Sequence, residues 1–186
     1  MISSRPSPPL RSVLSAVLLA VLGLATASQA AAAGPGDEAK AAAAGGAKPG
    51  RVLLVRHAET AAGDDPELSE QGRLRAERLA GLLAEEGIER ILATDTRRAR
   101  ATASPLARRL GLELEIYDPR ALPDLAAELR RDGGVVLVVG HSNTTPALVR
   151  LLGGDPDTPI RHDEYDRLYR IELVDGETTL DRYSAP

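Results

Sequence analysis

The chain contains no cysteine, no phenylalanine and no tryptophan. Without cysteine it forms no disulfide, binds no metal through thiolate and carries no lipid on a thiol. Without Phe or Trp, and with only four Tyr, it has little surface on which nucleic-acid bases could stack. Charge points the same way. The net charge is -4, and four of the 23 basic but only two of the 27 acidic residues precede position 51. That leaves 19 basic and 25 acidic residues beyond it, a balance that argues against a nucleic-acid partner. A confident membrane span is also missing. The one long apolar segment, Val13 to about Ala27, falls short of the roughly 20 residues a spanning helix needs.

That short segment has a different use. Arg5 and Arg11 lie in the proline-rich start that precedes it, and Ala25-Thr26-Ala27 and Ser28-Gln29-Ala30 follow with small residues at cleavage spacing. The pattern is that of a secretory signal peptide over residues 1–30, cut after Ala27 or Ala30. An uncleaved leader would instead act as an amino-terminal anchor. Residues 31–50 are almost all Ala and Gly and read as a flexible linker. The expected folded domain is therefore 51–186, exported to the periplasm or the outside, with no membrane span once the leader is cut.

Within that domain the core must be aliphatic. Apolar runs and helical periodicity alternate: strand 51–55, helix 69–86, strand 90–94, helix 97–110, strand 113–117, helix 121–131, strand 135–139 and helix 146–152. Arg167 to Val174 and Thr178 to Tyr183 close the chain as a pair around the Asp175-Gly176 turn. Alternation of this kind predicts an α/β fold with a mainly parallel sheet and helices on both faces. Ligands in such folds bind beyond the carboxyl ends of the strands.

Chemistry gathers at those ends. Arg56-His57 follows Val52-Leu53-Leu54-Val55, which would deliver a guanidinium fork suited to phosphate oxygens and a nucleophilic imidazole. Gly140-His141-Ser142-Asn143 follows the run Val135–Val139 and precedes a helix start at Thr144-Thr145-Pro146. Thr94, Asp95 or Thr96 can cap the helix carrying Arg97 and Arg98. Cations in a first turn oppose the helix dipole, so they mark either a solvated basic face or an anion site. Two strand-end histidines also suit a metal, but neither has a partner His two to four residues on, so no metal or other cofactor is expected. His162, in Arg161-His162-Asp163-Glu164, reads as a surface loop residue. Tyr165-Asp166-Arg167-Leu168-Tyr169 reads as ordering the sheet edge near the pocket.

Four segments carry a family resemblance. Leu54-Val55-Arg56-His57-Ala58-Glu59-Thr60 resembles the Arg-His-Gly signature of the histidine phosphatase superfamily, with Ala58 where Gly is usual. Leu68-Ser69-Glu70-Gln71-Gly72 resembles its next helix start, Arg98-Ala99-Arg100-Ala101-Thr102-Ala103 its second-arginine motif, and Val139-Gly140-His141-Ser142-Asn143 its second-histidine motif. The resemblance implies a phosphoglycerate-mutase-like three-layer sandwich and phosphoryl transfer through a phosphohistidine on His57. It further implies that Arg56, Arg98 and Asn143 bind the phosphate of a small phosphorylated substrate, with His141 as a second donor. Asp118 is the first candidate for the general acid, followed by Asp95 and Asp124. A non-catalytic phospholigand-binding module, an envelope interaction module and a phosphoglycerate-type mutase are the alternatives on the same fold.

Overall fold

The computed structural model describes residues 48–183. The expected signal peptide, and all but the last three residues of the expected linker, lie outside the described residues. Lys48 is already tied to the domain, its N–H donating to the Arg130 carbonyl at 3.0 Å.

The elements run β1 (Gly50–Arg56), α1 (Glu70–Leu83), β2 (Arg90–Thr94), α2 (Arg97–Leu110), β3 (Leu114–Tyr117), α3 (Leu122–Asp132), β4 (Gly134–Gly140), α4 (Thr144–Leu151), β5 (Arg167–Glu172) and β6 (Thr178–Arg182). The strands form one sheet in the order β3-β2-β4-β1-β5-β6. β3, β2, β4 and β1 are mutually parallel, and β5 and β6 add antiparallel strands at one edge. This is the α/β, mainly parallel, phosphoglycerate-mutase-like fold.

Strand alternation builds the layers. Val52, Leu54, Val136 and Val138 face α3 and α4, packing on Leu125, Leu129, Leu148 and Val149. Leu53, Val55, Leu137 and Val139 face α1 and α2, packing on Leu79, Leu83, Ala103 and Leu106. Both faces of β1 and β4 are thereby buried, which explains their unbroken apolar runs.

Helix ends differ from the sequence reading by a turn at most. α1 stops at Leu83 instead of continuing to position 86, because Glu86 N–H turns back to the Leu83 carbonyl at 3.2 Å and Gly87 adopts φ 71°. α4 begins at Thr144, two residues before the expected start. Ser69 caps α1 by accepting from Gly72 N–H at 3.1 Å. Gly72 has a second, steric role. A Cβ there would stand 2.0 Å from the Glu59 carbonyl oxygen, so only glycine lets the first turn of α1 lie against the segment that leaves β1.

Candidate active site

Register places the site. β1 and β4 pair with Arg56 opposite Gly140, so the next residues, His57 and His141, emerge side by side. His57 N–H donates to the Gly140 carbonyl at 2.9 Å, and the two rings meet edge-on with centroids 5.3 Å apart. β2 lies on the other side of β4, where Ala93 pairs with Val139. Thr94 therefore ends beside His141, and its Oγ1 lies 2.9 Å from His141 Nε2. Thr96 caps α2, so of the three expected candidates Thr94 serves the site instead of the helix.

His57 has a defined tautomer. Its Nδ1 lies 2.8 Å from the Ala58 carbonyl, and a carbonyl only accepts, so Nδ1 carries the proton. The Nε2 lone pair then faces Arg98, whose Nε–H donates to it at 3.3 Å. Burial, with only 7% of the residue exposed, lowers the His57 pKa to about 4, and Arg56, His141 and Arg98 push it the same way. Burial and the same two arginines lower His141 to about 4. Both imidazoles are neutral at pH 7, as a nucleophile must be.

Arg56 is nearly buried and strongly oriented. Its Nη1 donates to the carbonyls of Arg161, His162 and Glu164 at 2.9, 2.9 and 3.0 Å. Its Cζ lies 4.1 Å from the Tyr165 ring centroid, a cation–π contact. Its Nε is buried and has no hydrogen-bond partner among the described residues. On α2 the two neighbouring arginines diverge. Arg98 reaches His57, whereas Arg97 is 61% exposed along its side chain and pairs with Glu67. Ala58 takes the place of glycine without strain. It is fully buried beside Leu68 and Ala76, and its N–H donates to Thr102 Oγ1 at 2.9 Å.

Arg56, His57, Arg98, His162, Tyr165 and Asp64 help line an open cavity of about 480 Å³. His162 is exposed, as expected, and also lines this cavity. The three expected acids do not reach the cavity. Asp118 is a turn former whose carboxylate accepts from Arg120, Asp95 is exposed and paired with Arg100, and Asp124 lies with Asp118 in a separate groove along β3. Asp118 binds its own turn through the Arg120 N–H, as short carboxylates do, while Asp95 precedes the cap of α2 and Asp124 lies in the first turn of α3. Asn143 is exposed, makes no capping bond and is not among the cavity's lining residues. A larger cavity of about 660 Å³ adjoins Tyr165, but its arginines 75, 161, 167 and 182 are each paired with a carboxylate. Among the described residues no group of three His, Asp or Glu could hold a metal ion. Sequence reading missed Asp65, the Thr94 contact and the carbonyl cradle of Arg56. Neither the cradle nor Asp65 announces itself locally, because the one uses main chain and the other lies in a polar loop.

Residues 52–120 match the family model of the histidine phosphatase superfamily (branch 1). That stretch holds Arg56, His57 and Arg98 and ends before His141. No curated protein matches the chain in sequence. Solved structures do match in fold. A mycobacterial glucosyl-3-phosphoglycerate phosphatase is 20% identical with a TM-score of 0.55, over 75% of this chain and 100% of the other. The protein histidine phosphatase SixA, complexed with tungstate, is 23% identical with a TM-score of 0.56, over 70% and 94%. A phosphoglycerate mutase from Bacillus anthracis is 19% identical with a TM-score of 0.56, over 74% and 94%.

Proposed function

We propose that this chain belongs to the histidine phosphatase superfamily (branch 1) and is a metal-independent phosphohydrolase that works through a phosphohistidine on His57. The observation that carries the reading is the geometry around His57 Nε2. A neutral lone pair is flanked by two guanidinium groups, each held in a fixed orientation, and by a second imidazole. His57 Nε2 attacks phosphorus, the bond from phosphorus to the leaving oxygen or nitrogen breaks, and the leaving group departs with that electron pair and takes up a proton. Water then attacks phosphorus, the P–N bond breaks, and phosphate leaves with His57 restored. Arg98 Nε–H passes from the lone pair to a phosphoryl oxygen, which frees Nε2 to attack. Arg56 and Arg98 balance charge on the equatorial oxygens. A phosphate dianion beside His141 raises its proton affinity, so it binds as the cationic second donor.

His162, Asp64 and Tyr165 are the cavity-lining groups able to bring a proton to the leaving group. None is anchored toward phosphorus by a side-chain hydrogen bond, which favours substrates with good leaving groups, such as aryl phosphates or phosphoramidates, over alkyl esters. The relatives of the same fold act on a phosphorylated sugar acid or a phosphorylated protein histidine by their names, and both chemistries fit a small phosphorylated group.

A panel of phosphoesters and phosphoramidates, with and without a chelator, tests the reading. Activity should survive the chelator, and Arg98→Ala should lower kcat/KM by about 10²–10³, as loss of a charged contact to a transferring group does. Arg97→Ala should change it less than about threefold, since that side chain pairs with Glu67 on the surface. A crippling Arg97→Ala beside a mild Arg98→Ala would refute the assignment. A non-catalytic phospholigand-binding module is the second reading. The separation of Asp95, Asp118 and Asp124 from the cavity favours it, and a phosphate-binding protein with no turnover on any of the panel would establish it.

Export is part of the proposal and rests on the pattern of residues 1–30. Mass spectrometry of the protein from its native host should find an amino terminus at Ser28 or Ala31, and a soluble cytoplasmic protein beginning at Met1 would remove it.

A further inference from the structure

A guanidinium has two unequal edges. Nη1 lies on the side of Cδ, while Nε–H and Nη2 share the opposite edge and together make the fork that binds an oxyanion in two-point fashion. In Arg56 the Nη1 end is fixed by three main-chain carbonyls, which leaves Nη2 as the end open to phosphate. Arg98 is used the same way round. Its Nε–H points at the nucleophile, and its Nη1 bonds to a carboxylate oxygen of Asp65 at 3.2 Å.

Asp65 is itself anchored. Both of its carboxylate oxygens accept from the Arg97 main-chain N–H, at 3.2 and 3.3 Å, so the carboxylate is set by the backbone of α2 and not by another mobile side chain. Arg98 has four rotatable side-chain bonds, and apart from Asp65 its guanidinium makes one hydrogen bond among the described residues, the 3.3 Å bond to His57. Once a phosphoryl group takes that donor, Asp65 is the protein contact that keeps the fork edge-on.

We propose that Asp65 is a positioning residue for phosphoryl transfer, holding Arg98 by Nη1 so that its Nε/Nη2 edge faces the phosphorus bound at His57. The proposal rests on the phosphohydrolase reading given above. It assigns the 61–67 loop a part in the chemistry that its polar composition does not suggest. Asp65 is half exposed, and exposed ion pairs add little to stability, so its loss should act on the reaction and not on the fold.

The test is a double-mutant cycle on the full chain, read by turnover of an aryl phosphate and by inorganic phosphate binding followed by phosphorus NMR. Asp65→Ala should lower kcat/KM about 10-fold and weaken phosphate binding, with the melting temperature unchanged. Asp65→Asn, which keeps an oxygen to accept from Arg97 and Arg98, should recover to within about threefold of the parent. In an Arg98→Ala background, adding Asp65→Ala should cost nothing further, because the group it positions is gone. A further 10-fold loss in that background would overturn the proposal and make Asp65 an independent proton donor. Parent-like rates and phosphate affinity in Asp65→Ala would also overturn it while leaving the phosphohydrolase reading intact. A parent chain that neither binds phosphate nor turns over any ester would overturn both.

Discussion

His57→Ala should lower turnover of an aryl phosphate by at least about 10³-fold, because it removes the nucleophile and not merely a contact to it. Rapid quench of the parent with labelled substrate should trap about one label per site, in an acid-labile linkage absent from the variant. The same residue sets the acid limb of the parent's pH profile. His57 must be neutral to attack, and burial beside three other basic groups lowers its pKa to about 4. The free enzyme's kcat/KM, corrected for ionisation of the substrate, should therefore show no loss as pH falls past the usual histidine range and should drop only near pH 4. His141, also lowered to about 4, titrates with it, so the limb belongs to the pair. Near-normal turnover by His57→Ala would sink the mechanism, and an acid limb near pH 6.5 would sink the account of its burial.

Arg167→Ala should be the most destabilising of the single substitutions considered, by about 3 kcal/mol, or roughly 10 °C in melting temperature. Arg167 is 4% exposed along its side chain and pairs with Glu164, itself 11% exposed. Its Nε and Nη2 bond to the two Glu164 oxygens at 2.7 and 3.0 Å, and its Nη1 and Nη2 hold the Thr158 carbonyl and hydroxyl at 2.6 and 3.0 Å. Removing it strands a buried carboxylate with Arg182 as its remaining side-chain partner. Arg167, first among the causes, lowers the Glu164 pKa to about 2. In the unfolded chain that carboxyl protonates in the ordinary range near 4.5. Between these values the unfolded state binds the extra proton, so stability rises with pH. Glu164 thus contributes fully above the ordinary range, and that contribution is lost as pH falls toward 2. Acid unfolding should be shallower in Arg167→Ala, since the largest cause of the depressed pKa is removed while the Arg161 N–H and Arg182 remain. The activity should fall too, because residues 161–164 carry the carbonyls that orient Arg56. Thermal melts across pH check both, and an unchanged melting temperature would show the pair to be dispensable.

Much of the fold is legible along the chain for a local reason. Val52–Val55 and Val135–Val139 are apolar at every position because both faces of their strands are covered, and no distant residue is needed to see it. His57 and His141 are visible because each stands one residue past the end of such a run. Ser69 and Thr96 stand where helix caps must stand. The acids Asp95, Asp118 and Asp124 stand out for the same local reason, and that is why they mislead. A carboxylate beside a turn or helix start is equally well explained by the turn, and in Asp118 that is its use.

The sequence by itself determined the alternation of strands and helices, the strand ends at which Arg56, His57 and His141 sit, and the helix start that carries Arg98. These follow from side-chain periodicity and capping chemistry, which act over a few residues. Tertiary structure alone decided that the two histidines touch, because that depends on the β1–β4 register and not on either segment. It also decided how the arginines are aimed. Arg56 is held by carbonyls 105 to 108 positions away, and Arg98 by a carboxylate 33 positions away. Main-chain carbonyls are present at every residue and carry no sequence signal, so which of them orient a guanidinium is settled only when the loop before β5 closes over the end of β1.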